Sequence, residues 1–164
     1  YYTSADILNT RQEAGHLVIE ARATGQADRP YTSARITTKN EASWKYGYVE
    51  ARMKVPKGRG VWPAFWMLPE EWKYGGWPAS GEIDIMEHVG YDPGVVHGTI
   101  HTEKYNHIKQ TQKEGKITIA DAMDQFHVYA IDWTKDKIDF FLDDHLYHTV
   151  VRDPQDDFKG WLFD

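Results

Sequence analysis

Alternation of apolar and polar residues with a period of two dominates the chain. From His16 to Ala23, Leu17, Ile19 and Ala21 alternate with Val18, Glu20 and Arg22. Such alternation predicts a strand, because successive strand side chains point to opposite faces. From Tyr46 to Val55 the pattern is sharper. Tyr48, Glu50, Arg52 and Lys54 fall on one face, and Gly47, Val49, Ala51, Met53 and Val55 on the other. A third such segment runs from Phe126 to Trp133. Ile138 to Leu142 and His145 to Val151 flank Asp143-Asp144, which predicts a hairpin closed by a two-residue turn. Pro30, Pro56-Lys57-Gly58, Pro69, Gly75-Gly76, Asp92-Pro93-Gly94 and Asp153-Pro154 interrupt the chain at short intervals. Only Ile119 to Gln125 reads as helical, a single turn capped by Asp121. Short strands at this spacing predict an all-β protein, an antiparallel sandwich or barrel.

Composition narrows the function classes. A chain of 164 residues fits one domain with a real core. The net charge is −6 and there is no Lys/Arg-rich tract, so the electrostatic footprint of a nucleic-acid binder is missing. The longest uncharged run, Gly60 to Pro69, is too short and too rich in Trp and Pro for a membrane span. The absence of cysteine excludes disulfides, thiolate metal sites and cysteine nucleophiles. Aromatic residues make up 14% of the chain, with seven Trp, more than core packing usually calls for. Exposed aromatics beside carboxylates suit a ligand with flat apolar faces and many hydroxyls, such as a sugar.

The sharpest segment is Trp77-Pro-Ala-Ser-Gly-Glu82-Ile-Asp84-Ile-Met-Glu87-His88. Paired carboxylates serve glycoside hydrolysis, one attacking the anomeric carbon and the other protonating the leaving oxygen. On a regular strand Glu82 and Asp84 share a face, whereas Glu87 turns away. One β-bulge at Ile85-Met86 restores the parity and puts all three acids on one face. A carboxyl separation of about 5–5.5 Å then corresponds to a retaining mechanism. The competing reading is a solvated acidic stripe, but Ile83, Ile85 and Met86 mark the opposite face as core. Asp92-Pro93-Gly94 turns the chain into a partner strand. That hairpin places His97, Thr99 and His101 across from the acids, while His88 faces away. Trp77, in a Gly/Pro loop just before Glu82, reads as a cleft-edge residue. Eight histidines show no metal-ligand spacing, so no catalytic metal is expected.

The run Glu82-Ile-Asp-Ile-Met-Glu87 resembles the E-x-D-x-x-E signature of glycoside hydrolase family 16. The string Gly81 to Gly90 is similar to its laminarinase branch, the endo-β-1,3-glucanases, and the extra residue Met86 agrees with that branch. Further blocks in matching order are Tyr46-Gly-Tyr-Val-Glu-Ala-Arg52-Met-Lys, Trp62-Pro-Ala-Phe-Trp66-Met-Leu, His97-Gly-Thr-Ile-His101-Thr and Phe126-His-Val-Tyr-Ala-Ile-Asp-Trp133. The resemblance implies a concanavalin-like antiparallel jelly-roll β-sandwich with a concave substrate cleft. It assigns Glu82 as nucleophile, Asp84 as its assistant and Glu87 as acid/base, with no cofactor for catalysis. It also implies stacking platforms at Trp66 and Trp62 and an auxiliary role for His101. Arg52 is left as either a sugar contact or a surface ion pair. Trp44, Trp133 and Trp161 read as structural, and Trp72 as either.

Measured against the family, residues 1–164 read as a single catalytic domain that starts late and stops early. The missing strands are expected from a complementing chain or segment. Most ligands of a structural calcium would lie outside these residues. The implied substrate is a β-glucan of laminarin type, and the implied location is secreted or cell-surface. Mixed-linkage glucan, a galactan, or binding of glucan without cleavage stand as alternatives.

Overall fold

A computed structural model describes all 164 residues and contains strands, turns and loops without an α-helix. No helix is therefore long and apolar enough to cross a membrane. The chain divides into two compact units, Tyr1–Ala42 and Ser43–Asp164.

The first unit holds two short antiparallel pairs. Strands β1 (Thr10–Glu13) and β2 (His16–Ile19) form one, and β3 (Arg22–Ala23) and β4 (Tyr31–Thr32) the other. The single strand expected over His16–Ala23 is thus broken after Ile19. Buried Asn9 explains the break. Its carbonyl accepts the Glu20 amide (2.9 Å), and its Nδ2 donates to the Glu20 carbonyl (2.8 Å), so both backbone groups of Glu20 are committed there.

The second unit is a sandwich of two four-stranded antiparallel sheets. Its strands are β5 (Gly47–Met53), β6 (Ala64–Met67), β7 (Glu82–His88), β8 (Val95–His101), β9 (Lys113–Thr118), β10 (His127–Trp133), β11 (Lys137–Leu142) and β12 (His145–Val151). One sheet has the order β12-β11-β10-β5 and the other β6-β7-β8-β9. The alternation read from the sequence places the core. Ile83, Ile85 and Ile100 of one sheet pack against Ile131, Ile138, Phe140 and Val150 of the other, together with Trp161 and Phe163. Burying each such aliphatic side chain favours folding by about 1.5–3 kcal/mol. Trp161 is fully buried and Trp133 donates through Nε1 to the Phe163 carbonyl, so both are structural as expected. Trp44, expected to be structural too, is instead 55% exposed.

A cross-strand glycine pair lets the two sheets approach. Gly98 on β8 lies opposite Gly115 on β9. A Cβ on Gly98 would come within 2.5 Å of the Tyr147 hydroxyl and 2.6 Å of the Phe140 ring. One on Gly115 would come within 2.2 Å of the His148 ring. Beta-branched or larger residues here would push β11 and β12 away.

The β11–β12 hairpin turns at Asp143 (φ 47°) and Asp144 (φ 64°), two consecutive left-handed residues as a type I′ turn requires. Asp143 is held by the Val128 amide (2.8 Å) and by His127 Nδ1 (2.6 Å). The turn at residues 121–125 is shorter than a helix. The amides of Asp124 and Gln125 both bond the Asp121 carbonyl (2.8 Å each). The Asp121 carboxylate does not cap it and lies 3.3 Å from His127 Nε2.

Candidate active site

Strand β7 carries the three acids, and its register shows how. Against β8, Asp84 pairs with Thr99 and Glu87 with His97, so Ile85 and Met86 together oppose Gly98 alone. Against β6, Met86 pairs with Phe65 and Asp84 with Trp66. This is the expected bulge. Both extra-register side chains point inward, Ile85 into one core cluster and Met86 into the second. Two consecutive inward residues return Glu87 to the face of Glu82 and Asp84.

The acids meet in a cavity of about 260 Å³, walled by Glu82, Asp84, Glu87, His101, Trp62, Trp77 and His107. Two indoles hold the glutamates. Trp77 donates through Nε1 to Glu82 Oε2, and Trp62 through Nε1 to Glu87 Oε1 (2.8 Å). The Trp77 loop is closed by buried Ser80, whose hydroxyl accepts the Tyr74 amide (3.1 Å) and donates to the Gly75 carbonyl (2.6 Å). Trp62 is placed by backbone bonds to the end of β7. The His88 amide donates to Pro63 and the Gly90 amide to Val61. Its ring stays 68% exposed while its N–H is committed, which leaves a broad apolar face open to a ligand.

His101 lies directly opposite Glu82, with Nε2 3.2 Å from Asp84 Oδ2. Glu82, Asp84 and His101 each bring one donor atom within 4.8 Å of the others, and these are the atoms that a cation in this cavity would meet.

The electrostatics follow from burial. Desolvation, reinforced by the Asp84 charge, pushes Glu82 up to about 7 against the pull of Trp77 and His101. Desolvation, then the Glu87 charge, pushes Asp84 up to about 8. Desolvation also raises Glu87, and it lowers His101, leaving that imidazole neutral. Glu82 and Asp84 are hydrogen-bonded to each other, so at neutral pH the pair shares a retained proton. Both members of the pair are therefore held above the ordinary carboxylate range, Asp84 as the more buried of the two. All three acids are raised, chiefly by desolvation.

Other expected residues are placed as follows. Trp66 stands on the acid face opposite Asp84 but outside the walls of the cavity. Trp77 has its ring occupied. His107 lies 4.8 Å from it at 32°, and His101 5.6 Å from it. Its role here is to donate to Glu82. Arg52 is not brought to the acids. It belongs to β5 in the other sheet, on the face away from the core, with its guanidinium 4.6 Å above the Phe126 ring. The alternation that buries Ala51 and Met53 turns Arg52 outward.

Sequence reading missed His107. It sits in an aperiodic loop of residues 102–112, organised around buried Asn106. The Asn106 side chain donates to the carbonyls of Thr102 (3.0 Å) and Glu103 (3.1 Å) and accepts the Lys109 amide (3.1 Å). The only signal in the sequence was an Asn between Thr102 and Thr111, residue types that hydrogen-bond nearby backbone.

A fold and a carboxylate triad of this kind define a class, and comparison with known proteins agrees. The sequence profile described as Glycosyl hydrolases family 16 matches residues 3–160. The chain belongs to that family. It is 52% identical over 170 residues to a beta-glucanase of Rhodothermus marinus, covering 100% of this chain and 59% of the relative. It is 42% identical over 154 residues to a glucan endo-1,3-beta-glucosidase of Cryptopygus antarcticus, covering 90% of this chain and 56% of the relative. Among solved structures, the laminarinase from Rhodothermus marinus superposes with a TM-score of 0.96 at 50% identity, covering 100% of this chain and 68% of that one. The fold is accordingly the antiparallel jelly-roll sandwich of the family. The chain spans less than two thirds of the length of the two curated relatives.

Proposed function

We propose that this chain carries the catalytic centre of an endo-acting, retaining β-1,3-glucanase. The observation that carries this reading is the bulge in β7, which gathers Glu82, Asp84 and Glu87 on one face with an indole N–H on each glutamate. The names of the relatives, beta-glucanase, glucan endo-1,3-beta-glucosidase and laminarinase, support a β-1,3-linked glucan as substrate.

The Glu82 carboxylate attacks the anomeric carbon as protonated Glu87 gives its proton to the leaving oxygen. The products of this half are a covalent glycosyl-enzyme and a shortened glucan. Glu87, now a carboxylate, takes a proton from water, and the hydroxide equivalent displaces Glu82. Two inversions leave the β configuration. Asp84, by holding its proton toward Glu82, keeps the nucleophile ionised and then steadies it as a leaving group. Trp62 offers an apolar face to a glucosyl ring next to Glu87.

A proton NMR time course with laminarin tests the proposal. New reducing ends should appear first as the β-anomer and mutarotate afterwards. First appearance of the α-anomer overturns retention. A folded chain that releases no ends from laminarin overturns the β-1,3-glucanase reading, and a panel of mixed-linkage glucan and galactans then identifies the polymer. Glu82→Ser and Glu87→Gln should each lower turnover by about 10²–10⁴-fold with unchanged circular dichroism.

A further inference from the structure

One half-buried ionisable pair on the acid face has no part in the mechanism above. His97 on β8 stands directly opposite Glu87 on β7. Its Nδ1 lies 2.7 Å from Glu114 Oε1 on β9, and the other oxygen of Glu114 is 3.3 Å from Lys116 Nζ. Burial pushes Glu114 up, but hydrogen bonds from His97 and Lys116 outweigh it and hold the group below the ordinary range. Glu114 is therefore a carboxylate that accepts, and His97 Nδ1 carries the proton. That leaves Nε2, which is buried with no hydrogen-bond partner. A buried polar atom without a partner is unfavourable. On this face, the group directly across from His97 is Glu87, and its neighbour on the β6 side is Ala64, which offers no polar atom.

We propose that Glu114 and His97 are positioning residues for Glu87: Glu114 fixes the imidazole tautomer, and His97 compensates the charge of Glu87 in its carboxylate form. The inference rests on the reading of Glu87 as acid/base. That residue must pass through a carboxylate between the two halves of the reaction, inside a desolvated cavity beside two other acids. An imidazole whose Nδ1–H is committed to a carboxylate has its tautomer fixed, and Nε2 is the atom it has left for Glu87. His101 is not free for this task, because its Nε2 lies 3.2 Å from Asp84. Electrostatic coupling runs the same way: the Trp62 N–H and His101 favour the ionised form of Glu87 most strongly, and His97 adds to them.

The remaining groups facing the pair are few. From β7 they are Glu82, Asp84 and, on its other face, His88. From β8 it is His101, from β9 Lys116, and β6 contributes no ionisable residue. Glu82 and Asp84 oppose ionisation of Glu87, and the Trp62 N–H, His101 and His97 favour it.

The test is a titration of the whole chain carrying glutamates labelled with ¹³C at the side-chain carboxyl. Glu87 is assigned by the signal lost in Glu87→Gln. In His97→Gln its midpoint should rise by about half a pH unit or more. In Glu114→Gln it should rise as well. That sign is diagnostic, since loss of a nearby negative charge by itself lowers a carboxyl midpoint. An unchanged midpoint in His97→Gln, or a fall in Glu114→Gln, overturns the proposal. If His97→Gln does not fold, Glu114→Gln, altered at a partly exposed side chain, decides alone. The midpoint is read without substrate, so an inactive chain sinks the glucanase reading and leaves this test standing. With an active chain, the alkaline limb of kcat/KM should move in the same direction, with kcat falling more than KM changes.

Discussion

Asp84 is the residue on which the chemistry and the stability of this chain conflict. It is 3% exposed and sits between two other acids. Folding raises both Glu82 and Asp84, so in the range between their unfolded values and about 7 to 8 the folded chain binds more protons than the unfolded one. Stability contributed by these groups is fully present below the ordinary carboxylate range and is lost as pH rises through about 7 to 8. Asp84→Asn removes that loss. Its thermal midpoint should exceed that of the parent chain by a margin that grows from pH 4 to pH 8, while glucan hydrolysis falls. Calorimetry across that range checks the margin, and a difference independent of pH would sink the assignment. At this scale the sequence singled out three acids and His101, which the structure brings into one cavity. It could not name His107, which reaches the cavity through a fold of the loop and not through any periodicity. It left Arg52 open between a sugar contact and a surface ion pair, and the structure sets it on the other sheet over the Phe126 ring, because resemblance identifies a side chain without saying which sheet carries it.

At the scale of elements, parity explains most of what was legible. Two-residue alternation specifies which face of a strand is buried, and so β5, β7, β8, β10, β11 and β12 could be read directly. The bulge was legible for the same reason, since three acids could share a face only if two consecutive residues turned inward. The break after Ile19 was not legible, because it depends on Asn9, eleven residues before the Glu20 it binds. Nor was the closeness of the two sheets, which depends on Gly98 and Gly115 meeting across β8 and β9. Gly98→Ala should lower stability by about 1–3 kcal/mol, since Phe140 and Tyr147 are packed and must shift. Urea denaturation measures it. Gly76→Ala, where an added Cβ meets nothing within 4 Å, is the control and should leave the midpoint nearly unchanged.

At the scale of the folded molecule, residues far apart in sequence hold the cavity wall. Asp156, with a fully buried side chain, accepts from Lys104 Nζ and from Tyr105 (3.1 Å to each oxygen). The Lys104 amide donates to the Lys159 carbonyl (2.8 Å). Gly160 leaves the room, for a Cβ there would lie 2.3 Å from the Asp156 carboxyl. These contacts fasten the C-terminal segment to the loop that presents His107. Asp156→Asn should lower the thermal midpoint and raise KM for a laminari-oligosaccharide several-fold, with a smaller change in kcat. Equal loss of both parameters would point to general unfolding and not to a loosened wall.

The sequence by itself determined the strand faces, the bulge, the hairpin turn and the grouping of three acids on one strand. All of these are local, set by the side-chain period of two and by chemistry packed into a few residues. Only the tertiary structure decided that an indole N–H reaches each glutamate, that burial raises Asp84, that Arg52 faces away and that His97 stands opposite Glu87. Those outcomes depend on desolvation and on register between strands, quantities that exist only once distant segments have packed.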